Sequence, residues 1–374
     1  MTMKIYFLTI IYIGFAFFSK IQAQNLPSGA AFDFKISIEN GATSVKNQER
    51  SGTCWSFSTV SFLESEMIRT GGKAIDLSEL FIVNGIYRDK AENYILRQGD
   101  AGFSEGALSH DVINGYKKYG IVPQDVYSGL PPGSETIDHS ELVAAIGGML
   151  DGILKNKGGV YWRDATEALL DVYMGPVPAT FNYEGKEYTA KSFAEKVVRL
   201  RPGDYIEISS FTHVPLYEAF VLEVPDNFSS GRYFNVKLDE MVETVRQALA
   251  NGYTVVWDCD VSEKGFNPRE GYAIIPDPAG GSRNGLPVEV NVTPAMRQAA
   301  YERFATTDDH LMHIIGMAKD KNGNEYFIVK NSWGEVGPFE GYLYASIPYF
   351  KMKTLGIMLH KDAVPKSIAG KLFK

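Results

Sequence analysis

Apolar residues recur at helical spacing along much of the chain. The clearest run begins at Cys54 and is stopped by the pair Gly71-Gly72. Its apolar positions are Phe57, Val60, Leu63 and Met67. The same three- and four-residue spacing over 140–155 and 239–250 predicts two further helices. Helices are therefore expected in the first, middle and later parts of the sequence.

Strand patterns dominate the later part of the chain. A run rich in β-branched and aromatic residues covers 253–261. Two apolar runs follow at 310–318 and 325–330, and the Asn322-Gly323 pair between them is a strong hairpin signal. We therefore expect the last two runs to pair antiparallel, so that the start of the first lies beside the end of the second.

One long segment, 130–232, has a different character. It opens with a Pro-Pro-Gly turn, contains helical patterns, and is interrupted again at Pro176 and Pro178. We expect a helix-rich insertion within a single domain that runs from 24 to 374.

The first 23 residues predict a secretory signal peptide. Lys4 precedes an apolar run from Ile5 to Phe18, and Ala23 offers a cleavage site. The run is short for a bilayer span, so an uncleaved anchor is the alternative. We expect an exported protein, periplasmic or extracellular, without stable membrane insertion.

Charge and cysteine content narrow the choice of function. The formal net charge is −8, and loss of the predicted signal removes two lysines and no acidic residue. A chain this acidic is not expected to bind nucleic acid. Cys54 and Cys259 are the two cysteines, too few for a disulfide scaffold. Cys259 lies in a strand pattern and is expected to be buried; a Cys54–Cys259 disulfide is the alternative.

Cys54 has the context of a nucleophile. It falls in the first turn of its predicted helix, with Thr53 as candidate N-cap. Free backbone N–H groups and the helix dipole favour a thiolate there. Gln48 can return its side-chain amide across the turn, beside the Cys54 N–H, as an oxyanion donor. An inert, buried cysteine is the alternative.

A thiol nucleophile needs a base and a group that orients the base. His310 begins the first strand of the predicted hairpin and Asn331 follows the second, so the Asn331 oxygen can accept a hydrogen bond from the imidazole, with Trp333 covering that bond. His313 competes for the role but faces the other side of the strand. The two histidines cannot share a metal from opposite faces, and we expect no metal or cofactor.

These segments resemble the papain-like cysteine peptidases. The pattern Gln-x-x-x-Gly-x-Cys-Trp-x-Phe-Ser covers 48–58, and His310 stands six residues before a glycine and precedes Asn-Ser-Trp-Gly at 331–334. The form Val-Lys-Asn-Gln before the nucleophile most resembles the bleomycin hydrolase and aminopeptidase C branch. The resemblance implies a papain-like α+β fold of two lobes, one beginning at Cys54 and one carrying His310 and Asn331, with a cleft between them.

The resemblance also implies a substrate and a site. It implies thiol-dependent hydrolysis of peptide substrates by Cys54, His310, Asn331 and Gln48. In this family a glycine-rich loop pairs with the substrate backbone, and 99–107 corresponds to that loop here. The predicted substrate-binding residues are Gly106, Ala107, Trp55 and Trp333.

The kind of peptidase is less well defined. In this branch a C-terminal arm presents its carboxylate to the free amine of the substrate, but only nine residues follow Pro365 here, ending in a basic tail. We expect the arm to be absent or to work differently. Aminopeptidase activity is favoured by kinship, and a papain-like endopeptidase or oligopeptidase is the alternative. A non-catalytic papain-fold binding protein and a thiol acyltransferase also stay open. The branch forms hexamers, so a homo-oligomer is expected by kinship alone.

Overall fold

The computed structural model describes residues 26–131 and 133–373, in which helices pack against both faces of a large sheet. The predicted signal peptide, 1–23, lies outside the described residues. Within those residues no helix has the length and apolarity needed to cross a membrane.

Helices are concentrated in the first half of the chain. The α-helices of the described ranges are α1 Cys54–Arg69, α2 Glu79–Leu96, α3 Ser109–Tyr119, α4 Ser140–Lys155, α5 Trp162–Met174, α6 Ala190–Phe193, α7 Leu238–Ala250, α8 Pro294–Glu302, α9 Ile347–Lys353 and α10 Lys366–Leu372. The helices predicted after Cys54, over 140–155 and over 239–250 are confirmed, each boundary lying within a few residues of its expected place.

The strands are short at the edges of the main sheet and long at its centre. They are β1 Lys35–Glu39, β2 Phe181–Tyr183, β3 Lys186–Tyr188, β4 Tyr205–Ser209, β5 Ala219–Val221, β6 Arg232–Asn235, β7 Val255–Cys259, β8 Phe266–Asn267, β9 Tyr272–Ala273, β10 Ser282–Arg283, β11 Leu286–Pro287, β12 His310–Lys319, β13 Glu325–Lys330, β14 Tyr342–Ser346 and β15 Thr354–His360. The main sheet runs β5-β6-β4-β15-β7-β12-β13-β14-β9-β8, and β1 pairs with the second half of β12.

The β12–β13 hairpin is antiparallel, as its Asn-Gly signal predicted. On its other side β12 pairs with β7, which sets His310 opposite Cys259 and Leu311 opposite Asp258. Because side chains alternate along a strand, the two cross-strand pairs lie on opposite faces of the sheet.

Each face of the sheet is covered by a separate apolar core. On one face Val256, Leu311 and Met358 pack with residues of α1 to α5. On the other face Trp257 and Cys259 pack with α7 and α10. Both cores bury the central strands, which explains why these strands are apolar along their whole length. The nucleophile helix therefore lies on one side of the sheet and the described C-terminal helix on the other.

Helix α1 is buried on all sides between the other helices and the sheet. Its apolar spacing alone predicts one buried face, yet 14 of its 16 residues are buried. Its acidic residues are accommodated by partners: the Glu64 carboxylate accepts the Leu77 N–H at 2.8 Å, and Glu66 pairs with Arg69 at 2.7 Å. The enclosure of α1 fixes the position of Cys54 at its first residue.

The region 130–232 differs from the expected helix-rich insertion in its second half. Helices α4 and α5 occupy the first half. Strands β4 and β5 and the first residue of β6 lie in the second half and join the main sheet next to β15. The strand content was missed because these strands have three to five residues and carry no hairpin signal.

Candidate active site

The segment before Cys54 is bound to the segment after β13. The backbone N–H of Gln48 donates to the Ser332 carbonyl at 2.8 Å, and the Gly334 N–H donates to the Lys46 carbonyl at 3.0 Å. These bonds join the helical side of the molecule to the sheet. They bring together Gln48 and Asn331, which lie far apart in the sequence.

Cys54 lies against the first residues of β12. Its side chain is 8% exposed, and its sulfur accepts a hydrogen bond from the backbone N–H of Leu311, the neighbour of His310. Thr53 precedes the helix but does not cap it with its side chain. Its hydroxyl bonds Ser51 instead, at 2.6 Å.

The predicted thiolate does not fit the site as the structure describes it. Burial, with a smaller contribution from the carboxylates of Asp308, Asp226 and Asp258, raises the pKa of the Cys54 thiol to about 12. The Leu311 N–H opposes this shift but does not reverse it. The position at a helix start is as expected; desolvation and nearby negative charge outweigh its effect.

The hydrogen bonds of Asn331 define the tautomer of His310. The Asn331 Oδ1 atom accepts the backbone N–H of Ser332 at 2.8 Å, so the atom at that position is the amide oxygen. His310 Nε2 lies 2.7 Å from the same oxygen and must be the donor. The proton of the neutral ring is therefore on Nε2, and Nδ1 is free to act as a base.

Trp333 covers the imidazole. The His310 and Trp333 rings are stacked, with centroids 4.6 Å apart. Burial lowers the pKa of His310 to about 4, and the bond to Asn331 only partly opposes that shift. The resting imidazole is thus neutral, and so is the Cys54 thiol.

Both ends of the Gln48 side-chain amide are held. Its oxygen accepts the Ser332 hydroxyl at 2.7 Å, and its nitrogen donates to the Ser51 carbonyl at 2.7 Å. One of the two amide N–H bonds is thereby used and the second is free for a ligand. Ser332, the residue after Asn331, therefore also fixes Gln48, the predicted oxyanion donor.

His313, the competing base, and Cys259, the second cysteine, have different surroundings from His310 and Cys54. His313 Nδ1 bonds the Ser61 hydroxyl at 3.0 Å, and burial together with the Lys330 charge holds the pKa of His313 well below its usual value. Cys259 is a free, buried thiol in the core beyond the sheet, so the alternative disulfide does not form. The described residues contain no group of three or more His, Cys, Asp or Glu side chains placed to hold a metal ion.

The glycine-rich loop is held tightly against the nucleophile segment. The Glu105 carboxylate accepts the Gly52 N–H, and the Trp55 indole N–H donates to the Glu105 carbonyl at 2.9 Å. The buried Lys90 amine donates to the carbonyl of Gly106. A Cβ atom at residue 106 would collide with the carboxylate of Asp226, so the loop between β5 and β6 lies directly on Gly106.

Two of the predicted substrate contacts have buried side chains. Trp55 is 0% exposed and Ala107 is 1% exposed, so neither side chain offers a surface to a substrate. Trp55 instead anchors the glycine-rich loop through its indole nitrogen. Gly106 and Trp333 lie at the site, the first beneath Asp226 and the second over His310; their contact with substrate stays a prediction.

Three acidic residues at the site were missed from the sequence. Asp258, Asp308 and Asp226 all act on the Cys54 thiol. The sequence contains one signal for them. Asp258 lies inside the otherwise apolar run that forms β7, where a charged residue is unusual. The convergence of the three residues depends on sheet pairing and could not be read from spacing.

The fold has a solved counterpart. A crystal structure of pepw from Lactobacillus rhamnosis HN001 superposes with a TM-score of 0.71, covering 92% of this chain and 85% of that one at 18% identity. Fold and site together define a cysteine peptidase of the papain type.

The chain belongs to the peptidase C1-like family, whose sequence profile matches residues 179–373. The profile of papain family cysteine proteases matches residues 29–129. Between the two matches lie residues 130–178, which contain α4 and α5.

Among curated proteins the chain is similar to several aminopeptidases. Aminopeptidase C of Listeria monocytogenes is 22% identical over 396 residues, which cover 93% of this chain and 87% of that protein. Aminopeptidase C of Lactobacillus delbrueckii subsp. lactis is 25% identical over 402 residues, covering 92% and 86%.

Proposed function

We propose that this protein is an aminopeptidase that cleaves peptides through a thioester intermediate. Cys54 is the nucleophile, His310 the base, Asn331 the group that orients the base, and Gln48 an oxyanion donor. The observation that carries the proposal is the hydrogen bond from His310 Nε2 to Asn331 Oδ1, 2.7 Å long, at a strand start whose next residue, Leu311, bonds the sulfur of Cys54 at the start of a helix.

The reaction begins with two neutral groups. As the Cys54 sulfur bonds to the peptide carbonyl carbon, its proton passes to His310 Nδ1, and the carbonyl electron pair moves onto oxygen. The Cys54 backbone N–H and the free N–H of Gln48 donate to that oxyanion. Collapse of the adduct breaks the C–N bond, and His310 Nδ1 returns the proton to the leaving amine. A water that loses its proton to Nδ1 then hydrolyses the thioester and restores the thiol.

The packing on Gly106 favours an exopeptidase over an endopeptidase. An extended substrate pairs with a protein through free backbone groups. Here Lys90 occupies the Gly106 carbonyl and the Asp226 carboxylate lies where a side chain at residue 106 would project. A long acyl segment therefore has less room on this side of the nucleophile. The curated relatives, named aminopeptidases, support the same choice.

A pair of fluorogenic substrates tests the proposal. We expect an aminoacyl amide with a free α-amine to be hydrolysed, and its N-acetylated counterpart to be hydrolysed far more slowly. Faster turnover of the acetylated compound would indicate an endopeptidase, and no turnover together with no alkylation by iodoacetamide would indicate a binding protein. Export and homo-oligomer formation stay predictions.

A further inference from the structure

Asp258 is a buried acid that has no partner in the protein. It is 2% exposed, and neither carboxylate oxygen has a hydrogen-bond donor among the described residues. Its strand pairing places it opposite Leu311, on the face of the sheet that packs against α1. The Leu311 N–H is the group that bonds the Cys54 sulfur. Asp258 therefore lies close to the reacting atom, with its hydrogen-bonding capacity unused.

Asp308 lies beside Asp258. One oxygen of Asp308 is buried and also has no donor, and the two carboxyl groups are close enough to bond each other if they share a proton. Desolvation and the charge of Asp308 raise the pKa of Asp258 well above its usual value. Desolvation and the charge of Asp226 raise the pKa of Asp308 to about 7, although the bond with Asp258 opposes that shift. Such a pair is unfavourable unless a proton or a cation lies between its members.

No cation among the described residues forms an ion pair with Asp258 or Asp308. His110, whose pKa is raised to about 9, acts on Asp308, but its imidazole is bonded to the Glu207 carboxylate at 2.8 Å. Arg297 acts on Asp258 from a distance but forms no ion pair with it; its guanidinium donates to the carbonyls of Ser210 and Lys351 at 2.7 and 3.2 Å. Lys90 donates to the glycine-rich loop. The other charges that act on Asp258 are Glu207 and Asp226, both acidic.

The position of the pair matches the chemistry of one substrate group. In a peptide with a free N-terminus, the α-ammonium is separated from the first carbonyl carbon by a single carbon atom. When that carbonyl meets the Cys54 sulfur, the ammonium must lie within a few ångströms of the same sulfur. An ammonium there gives the pair a counter-ion and hydrogen-bond donors, which allows both carboxyl groups to ionise.

We propose that the Asp258–Asp308 pair binds the protonated α-amine of the substrate, while Asp226 encloses it from the insertion. This assignment rests on the proposed aminopeptidase function and names the residues that select for a free N-terminus. Asp258 on β7, Asp308 before β12 and Asp226 then together limit the acyl part of the substrate to one residue.

The test measures a ratio of rates in the full-length protein. We expect Asp308→Asn to lower kcat/KM for a free-amine aminoacyl amide by about 10- to 100-fold, mainly through KM, because it removes a buried charge partner. The acetylated substrate lacks the ammonium, so the ratio of the two rates should fall by the same factor even where a change at the Cys54 thiol alters both rates. Asp258→Asn should have the same effect on the ratio.

Asp309→Asn is the matched control. Asp309 adjoins Asp308, but its carboxylate accepts the Thr307 hydroxyl at 2.7 Å and the Val261 N–H at 3.3 Å. We expect this variant to keep the wild-type ratio of kcat/KM between the free-amine and the acetylated substrate. A cooperative thermal unfolding transition verifies that each variant is folded.

The outcomes separate the two proposals. If wild type prefers the free amine and the folded Asp308→Asn and Asp258→Asn variants keep that preference, or lose both activities equally, the amine site is wrong and the aminopeptidase stands. If wild type hydrolyses both substrates equally, or prefers acetylated substrates with a lysine or arginine side chain, the aminopeptidase is wrong and so is the amine site.

Discussion

The candidate site contains two buried polar clusters, and they differ in how their hydrogen bonds are completed. In the first, His310 donates to Asn331 and Ser332 bonds both Asn331 and Gln48, so the side chains hold one another in place. In the second, Asp258 and Asp308 have carboxylate oxygens without a donor. The first is complete without a ligand and the second is not.

That difference separates two tasks. Groups that perform the same chemistry on every substrate gain from being fixed in advance, because no reorganisation is then needed during the reaction. Groups that recognise a charge must leave their own charge uncompensated until the ligand arrives, at a cost in stability. Changes in the first cluster should therefore affect the rate for all substrates, and changes in the second should affect selectivity and stability.

The largest expected effect comes from removing the nucleophile. Cys54→Ala should abolish hydrolysis of every peptide substrate, because no thioester can form. Cys259→Ala is the control, since this thiol lies in the core on the far side of the sheet. It should keep its activity and lose about 1 kcal/mol of unfolding free energy, as is typical for a buried substitution. Steady-state kinetics and urea unfolding distinguish the two variants; turnover by Cys54→Ala would refute the mechanism.

The two histidines of β12 give the next contrast. His310→Ala should lower kcat by about 10²- to 10⁴-fold, the contribution of a general base. His313→Ala should stay within a few-fold of wild type in kcat and lose about 1–3 kcal/mol of unfolding free energy, because it leaves Ser61 with Lys330 as its one remaining side-chain partner among those described. Equal losses of kcat in the two variants would contradict the assignment of His310, rather than His313, as the general base.

A smaller loss is expected at Asn331. Asn331→Ala removes the acceptor that sets the tautomer of His310 but leaves the thiol and imidazole in place. We expect kcat to fall by about 10- to 100-fold with KM nearly unchanged, less than the loss in His310→Ala. A variant as inactive as His310→Ala would show that Asn331 does more than orient the ring.

The smallest effect concerns stability and its dependence on pH. Below about pH 4 Asp308 is protonated in the folded and unfolded protein alike. Between its ordinary pKa of 3.8 and the folded value of about 7, only the unfolded chain releases the proton, so the unfolding free energy falls as the pH rises. Asp308→Asn removes this contribution. The midpoint of thermal unfolding of this variant should exceed that of wild type by more at pH 7.5 than at pH 4.5. An equal difference at both pH values would contradict the raised pKa of Asp308.

The elements that carry the first cluster were predictable from the sequence. Each of its members lies at an end that the pattern marks: Cys54 at a helix start, His310 at a strand start and Asn331 after a strand. An Asn-Gly turn then aligns the last two. Hydrophobic spacing and turn chemistry are local, so they locate such residues without knowledge of the tertiary fold.

The parts that were missed depend on contacts between distant segments. Trp55 was expected at the substrate because it follows the nucleophile, but packing from the glycine-rich loop buries it. Asp258 and Asp308 are fifty residues apart and meet through the β7–β12 pairing. The ionisation of Cys54 was missed for the same reason, since its helix start is a local feature and its burial is not.

An epoxide inhibitor that alkylates active-site thiols tests the central claim most directly. Wild-type protein would be titrated with the inhibitor while residual peptidase activity and the mass of the tryptic fragments are followed together. We predict one adduct per chain, on Cys54, with activity falling in proportion to its formation and with no adduct in Cys54→Ala. An adduct on Cys259, or full activity after Cys54 has been modified, would contradict the assignment of the nucleophile.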